Sequence, residues 1–511
     1  MTCALNAAKL PYMASKTTLI AFVASLALAL SALATPATAE AANRLTVRRV
    51  TVSSEFVGQV VLRGVPSSLL QYITFTIVPK AGSTAKAVSV TYSKAHLVAK
   101  RKLGSRVKEA TVPIFGLYPG YNNTVRITVK QINRRAITTS VRMRTAAYAG
   151  HFSAATRVDV TPRNTAVPLD YSYMMVKHLQ NGLGPVILDI DGNVRWVGRP
   201  GLNSQGAYFW NGSIYLDNGE GYGGGSKLFR MDMAGALTEI ADYASEGVWG
   251  MHHNYDLGKV GLLIEPNLNV DGATHVESTI FEINTAGAIL DRWNITQIVR
   301  DAMVAGGDDP SAFVRDGDDW LHINASTYWA AQNTLVISGR ENFVIGIGYD
   351  DKQIKWILGD LSKAWATYPS LMAYALTMAP GSLAPIGQHS VSITPDGNLM
   401  LFDNGWHSYN HTPAGDDRTY SAPRKYALNL NTKVATEVWN FTHGETIYSQ
   451  ICSSVYQKGS SYLIDYAHGD DGNLHLVGVG SGDRTAFEYT WTGQCGTGWN
   501  TSIISLEGLR Y

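Results

Sequence analysis

The stretch Val186-Ile187-Leu188-Asp189-Ile190-Asp191-Gly192-Asn193-Val194-Arg195-Trp196 is an apolar strand, a turn of Asp, Gly and Asn, and a second strand that ends in Trp. The pattern returns at Lys227 to Ile240, Thr279 to Trp293, Phe343 to Trp356, Lys425 to Trp439 and, more weakly, Leu476 to Trp491, making six copies. Their spacing runs from about the length of a propeller blade upward. The excess falls in stretches such as Ser362 to Gly387, which read as loop insertions. Repetition of this kind predicts an all-β chain whose larger part, residues 171–511, is a six-bladed β-propeller.

Upstream of the repeats, residues 43–150 are short runs rich in Val, Ile, Thr and Tyr, such as Tyr72 to Val78, separated by Gly, Pro and Ser. They predict a small N-terminal β-sandwich, joined to the propeller by a linker over 151–170. Residues 1–39 read as a secretory signal peptide, with a polar start at Met13 to Lys16, an apolar run from Thr18 to Leu33 and a small-residue cleavage site at Ala37-Thr38-Ala39. No other stretch is apolar for long enough to span a bilayer, so the mature protein is expected to carry no transmembrane segment. Cys3 leaves with the signal, and Cys452 and Cys495 are expected to pair in an oxidising compartment, the alternative being two buried thiols.

The net charge of +1 conceals an asymmetry. Residues 43–150 hold 18 Lys and Arg against Glu55 and Glu109, whereas the chain beyond them holds 22 basic and 38 acidic residues. The two parts are expected to attract each other, within one chain or across a homodimer. Binding to an anionic membrane surface is the sharper alternative, which the scattering of the basic residues through strands opposes. No nucleic-acid partner is expected.

Ahead of several copies lies a second recurring unit, a polar start and a strand pair, expected to be the inner half of each blade. Three of these units begin with histidine: His253-Asn254-Tyr255-Asp256-Leu257, His322-Ile323-Asn324-Ala325 and His389-Ser390-Val391-Ser392-Ile393. Repeat-equivalent positions of a propeller face one channel, so the three imidazoles are expected at one mouth. Ser338-Gly339-Arg340 closes the strand pair that His322 opens and brings a guanidinium to the same place. A permanent cation with no carboxylate in the motif argues against a metal there, although three imidazoles alone would suit zinc. It favours a tetrahedral oxyanion, whose oxygens match the planar donors of Arg.

These residues lie in longer motifs: Asp319-Trp320-Leu321-His322-Ile323-Asn324-Ala325, Ser338-Gly339-Arg340, Val344-Ile345-Gly346-Ile347 and Lys355-Trp356-Ile357-Leu358-Gly359, with eighteen residues from His322 to Arg340. Together with Gln388-His389-Ser390, Asp403-Asn404-Gly405, Gly250-Met251-His252-His253 and Gly116-Leu117-Tyr118-Pro119-Gly120-Tyr121, they resemble the bacterial arylsulfate sulfotransferases over nearly the whole mature chain. The resemblance implies that His389 is the nucleophile that becomes sulfated. It implies that His322, Arg340 and one of His252 and His253 surround the sulfuryl oxygens, with Asn324 adding a donor. Alignment of the repeats favours His253 over His252. The family's disulfide joins closely spaced cysteines, whereas Cys452 and Cys495 stand far apart.

On that resemblance the expected reaction is ping-pong transfer of a sulfuryl group from an aryl sulfate to a phenol through a sulfohistidine, with no nucleotide sulfate donor, cofactor or metal. Gly221-Tyr222-Gly223-Gly224-Gly225-Ser226-Lys227 lacks the spacing of a phosphate-binding loop and reads as an inter-strand turn. The resemblance also favours the periplasm, with full secretion as the alternative. Two rivals stand beside this reading: a propeller oxidoreductase using a quinone or a His-held metal, and a non-catalytic propeller that binds glycans or peptides through its Tyr and Trp.

Overall fold

Asn122–Gln131 buries every second side chain, the period of a strand with one face on a core. It is the centre of a sandwich. Leu70–Ile77 lies on one side of it and Ile137–Arg144 on the other, with Ser89–Ser93 beyond Leu70–Ile77. A second sheet of Thr46–Val52, Val57–Arg63 and Glu109–Phe115 completes the N-terminal domain. The structure, a computed structural model, describes residues 45–511 apart from 105–107, 160, 180–182, 220–224, 271 and 316. The expected signal peptide and residues 221–224 of the glycine-rich turn lie outside the described residues.

From Tyr173 onward the chain forms a propeller. Six sheets follow one another, each with four strands in antiparallel order, the fifth with one short parallel strand added at its edge. Each of the six repeat copies falls on the outer two strands of one sheet. The physical reason is legible in sheet four. Thr334–Gly339 and Phe343–Gly348 are buried throughout, because sheets cover them on both faces, so they read as unbroken apolar runs. Outermost strands such as Ile289–Asn294 alternate instead.

The recurring Trp is a spacer between sheets. Trp196 of the first sheet donates its Nε1–H to the Met233 carbonyl after the third strand of the second sheet (3.0 Å). Trp293 packs edge-on against Tyr349 of the next sheet (4.9 Å between centroids), and Trp439 stacks on Tyr462 (4.0 Å, 9°).

The first sheet is closed by the chain's last part. Asn500–Ile504 pairs with Tyr173–Lys177 and supplies the innermost strand, after which Leu509–Arg510 pairs with Ser89–Ser93 in the sandwich. Sandwich and propeller share one apolar core in which Val88, Val90 and Leu117 lie with Trp196, Ile214 and Met231. Arg195 of the propeller lies over the Tyr118 ring (3.6 Å) and donates to the Gly116 carbonyl (2.7 Å), so the Gly116–Tyr121 segment is a docking element. Lys86–Glu507 (3.7 Å), a solvent-exposed pair, crosses between the two. The attraction expected from the charge asymmetry is therefore a minor part of a contact made chiefly by apolar burial. Among the described residues, no helix is long and apolar enough to cross a membrane.

Candidate active site

The innermost strands of the third, fourth and fifth sheets are Asp256–Leu257, Ile323–Trp329 and His389–Ile393. His253, His322 and His389 sit at or just before their starts, and antiparallel order puts those starts at one mouth of the channel. A cavity of about 140 Å³ there is lined by all three, with Arg340, Tyr409 and Trp499 among its other walls. A wider cavity of about 870 Å³ opens at the opposite ends of the same strands, at Leu257, Tyr328 and Ile393, and is lined by none of these histidines.

The bend into the innermost strand falls on a residue in the left-handed region, which side chains other than Gly adopt at a cost. It is His253 (φ 51°) and His322 (φ 54°) in sheets three and four, but Ser390 (φ 59°) in sheet five. His389 thus stands one residue earlier at its bend than the other two, which are true equivalents. His252 is wholly buried behind His253, and the Nδ1 atoms of the two rings are 2.7 Å apart.

Each imidazole has a different charge environment. His389 is buried, and burial followed by the charges of Arg340 and His322 pushes its pKa down to about 3, so it is neutral. Its Nδ1 faces Asn404 Oδ1 (2.8 Å) and the Gly387 carbonyl (3.2 Å), both acceptors, so the proton sits on Nδ1 and Nε2 carries the lone pair. The Cys452 backbone N–H donates to that Nε2 (3.2 Å). His253 is likewise held well below its ordinary value, by burial and then by the charge on His322.

His322 is the opposite. Burial works against its charged form, yet the carboxylates of Glu277 (2.8 Å) and Asp319 (2.5 Å), both at Nδ1, hold it well above the usual range, so it is an imidazolium. Nδ1 is thereby taken, and Nε2–H is the donor left for the cavity. Glu277 also lies 3.7 Å from His253 Nδ1 and 3.9 Å from His252 Nδ1. Arg340 pairs with Glu341 (2.5 Å), and its backbone N–H donates to the His322 carbonyl (3.0 Å). Its Nη2 is buried with no partner among the described residues. Burial opposes the charge of Glu341 too, but Arg340, Ser408 and the Asn410 N–H hold its carboxyl below the usual range.

Carboxylates therefore do attend the histidines, against the sequence expectation. Glu277, Asp319 and Glu341 are brought in from outside the His322 repeat unit or from its margins. Glu277 with His252 and His253, and Glu277 with Asp319 and His322, have donor atoms within 4.8 Å of one another, close enough to admit a cation. The arrangement seen already places the N–H of a charged imidazole between the carboxylates of the second set. The expected lack of a carboxylate in the motif therefore does not exclude a metal here. What remains is a site in which two cations, Arg340 and His322, are set among the carboxylates of Glu277, Asp319 and Glu341, with the guanidinium at the cavity.

Asn324 is not a wall of the cavity. Its amide donates to the Gln388 carbonyl (2.8 Å), behind His389. Cys452 and Cys495 are joined in a disulfide, as expected from the sequence.

Comparison with known proteins gives one consistent result. Residues 161–497 match the family model described as Arylsulfotransferase (ASST), and residues 58–146 match that described as Arylsulfotransferase Ig-like domain. Two curated relatives are named arylsulfate sulfotransferase AssT. The one from Escherichia coli O6:H1 is 24% identical over 310 residues, which are 50% of this chain and 50% of its own. The one from Lelliottia amnigena is 24% identical over 253 residues, 40% of this chain and 41% of its own. The chain thus spans about half the length of the curated relatives it matches. Among solved structures, a europium-containing methanol dehydrogenase aligns with a TM-score of 0.32 at 11% identity, over 75% of this chain and 78% of that one. The β-propeller domain of Myceliophteria thermophila Cps50 (Swd1) aligns with a TM-score of 0.33 at 11% identity, over 65% and 88%.

Proposed function

This chain belongs to the arylsulfotransferase family, and we propose that it transfers a sulfuryl group from an aryl sulfate to a phenol through a covalent sulfohistidine at His389. One observation carries the reading: a neutral imidazole, fixed with its lone pair on Nε2, borders the same small cavity as a guanidinium and an imidazolium. A nucleophile, an anion holder and a proton donor are thus set at one point.

In the first half-reaction the Nε2 lone pair of His389 gives up its hydrogen bond from the Cys452 N–H and attacks sulfur, and the bond from sulfur to the phenolic oxygen breaks. The bonding pair leaves with that oxygen, which takes the Nε2 proton of His322. The guanidinium of Arg340 donates to the sulfuryl oxygens. Its unpartnered Nη2 is the donor left over for them. With His252 donating to His253 within their Nδ1 pair, His253 keeps its own proton on Nε2 as a further donor.

In the second half-reaction a new phenol returns its proton to His322 as its oxygen attacks sulfur, and the N–S electron pair goes back to His389. Protons and charge balance over the cycle, and no nucleotide is consumed. On this reading the six sheets are six blades. The protein works outside the cytoplasm, where the Cys452–Cys495 bridge persists.

The first test is release of 4-nitrophenol from 4-nitrophenyl sulfate with phenol as acceptor and no nucleotide sulfate present. Acceptor-dependent release supports the reading. Release that needs an added quinone or metal, or none at all, contradicts it.

A further inference from the structure

We propose that Tyr409, backed by Trp406 and Tyr448, is the platform on which the aryl ring of donor and acceptor lies while the sulfuryl end reaches His389. The proposal rests on the reading above and adds to it what selects an aryl over an alkyl sulfate.

Tyr409 is 60% exposed, which for a lone surface tyrosine would mean little. This one lines the cavity that holds the histidines, and one face of its ring covers the Arg340 guanidinium (4.3 Å). Its backbone is fixed on both sides. Ser408 Oγ donates to Glu341, the Asn410 N–H donates to Glu341 Oε2 (2.7 Å), and Asn410 Nδ2 donates to the Asp319 carbonyl (2.7 Å).

The loop is therefore tied to the Glu341 carboxylate beside Arg340 and to the Asp319 backbone carbonyl beside His322, and the ring is held at the mouth without being covered. Trp406 lies 6.1 Å from Tyr409, and Tyr448 stacks on Trp406 at 26° and donates to the Gly405 carbonyl (3.2 Å). A rigid, half-bare run of aromatic faces beside an anion site suits a ligand with an anionic end and a flat apolar end. A substrate ring on the outer face of Tyr409 would complete a stack that Arg340 begins.

The test uses calorimetric binding of phenyl sulfate and of methyl sulfate to the His389→Asn enzyme, so that neither is turned over. Adding Tyr409→Ala should weaken phenyl sulfate by about fivefold to tenfold and leave methyl sulfate unchanged, while Tyr409→Phe should bind both as before. Equal loss for both sulfates, no loss for either, or no binding of phenyl sulfate at all overturns the platform. Turnover of 4-nitrophenyl sulfate by the wild-type enzyme is followed in parallel. Its absence, with Tyr409-dependent binding intact, refutes the transfer reading and leaves the platform standing.

Discussion

Asn404 Oδ1 lies 2.8 Å from His389 Nδ1, and the Asn404 amide nitrogen donates to the carbonyls of Ser449 (2.7 Å) and Cys452 (3.0 Å). A flipped amide would turn its oxygen against both carbonyls and its NH2 against the His389 Nδ1–H, and would take the donor from the Cys452 carbonyl. Asn404 therefore presents an oxygen to His389 and dictates the tautomer, as an orienting group does for a catalytic imidazole. Asn404→Leu should lower the rate of the first half-reaction by on the order of 10²-fold or more, because the proton is then free to occupy Nε2. Single-turnover release of phenol checks this, and an unchanged rate in a folded variant would remove the tautomer argument.

The imidazolium of His322 depends on Glu277 and Asp319, and that gives activity a pH signature. His322 must hold its proton to protonate the leaving oxygen, so kcat/KM should fall on the alkaline side at a pH well above the ordinary histidine value. Asp319→Asn removes one stabilising charge and should move that limb to lower pH. The sign for stability agrees: a raised histidine stabilises the fold fully below its unfolded pKa of about 6.5, and the contribution is lost as pH rises through the folded value. A limb that stays in place in Asp319→Asn would show that another group sets it.

Arg340 is held between Glu341 and the Tyr409 ring, with Nη2 left unpaired. Lysine keeps the charge and loses the fork. Arg340→Lys should cost about 3 kcal/mol in the chemical step, the scale for one oxyanion donor. Burst kinetics separate this from binding, and a wild-type burst rate would take Arg340 out of the reaction.

The Cys452–Cys495 bridge closes a span of 43 residues in sequence, and Cys452 touches the site through both backbone groups. Alkylation without reductant should modify neither thiol. Cys495→Ser should lower the unfolding free energy by about 3 kcal/mol and slow turnover, since the Cys452 N–H and carbonyl frame His389 and Asn404. Two alkylated thiols in the native protein would contradict the bridge.

Much of this was legible in the sequence, for physical reasons. Strands buried on both faces read as apolar runs, and the Trp that spaces neighbouring sheets marks where each outer strand ends, so the copies map directly onto strand pairs. The convergence of His253, His322 and His389 follows because innermost strands of a propeller begin at one mouth. Glu277 was invisible. It follows a side sheet of Val248–Met251, Pro266–Val270 and Ala273–His275 that belongs to no repeat, and its N–H is held by Asn267 Oδ1 (2.7 Å). Tyr409 lies on the similarly unrepeated loop after Asp403–Asn404. Asn324 was expected at the site only through the resemblance; residues two apart share a face of a regular strand, but the left-handed bend at His322 breaks that relation and the Asn324 amide meets the Gln388 carbonyl. The charge difference between the two parts of the chain is a sum over surfaces, and it gave no view of the apolar interface that joins them.

On this reading His389 carries the sulfuryl group between donor and acceptor. Enzyme incubated with an aryl sulfate and no acceptor, then digested and mapped by mass spectrometry at neutral or alkaline pH to spare the acid-labile N–S bond, tests it most directly. The prediction is one SO₃ per chain on the peptide containing His389, removed when phenol is added and never formed by His389→Asn. An adduct on His253 or His322, or one that persists in His389→Asn, would contradict the assignment of the nucleophile.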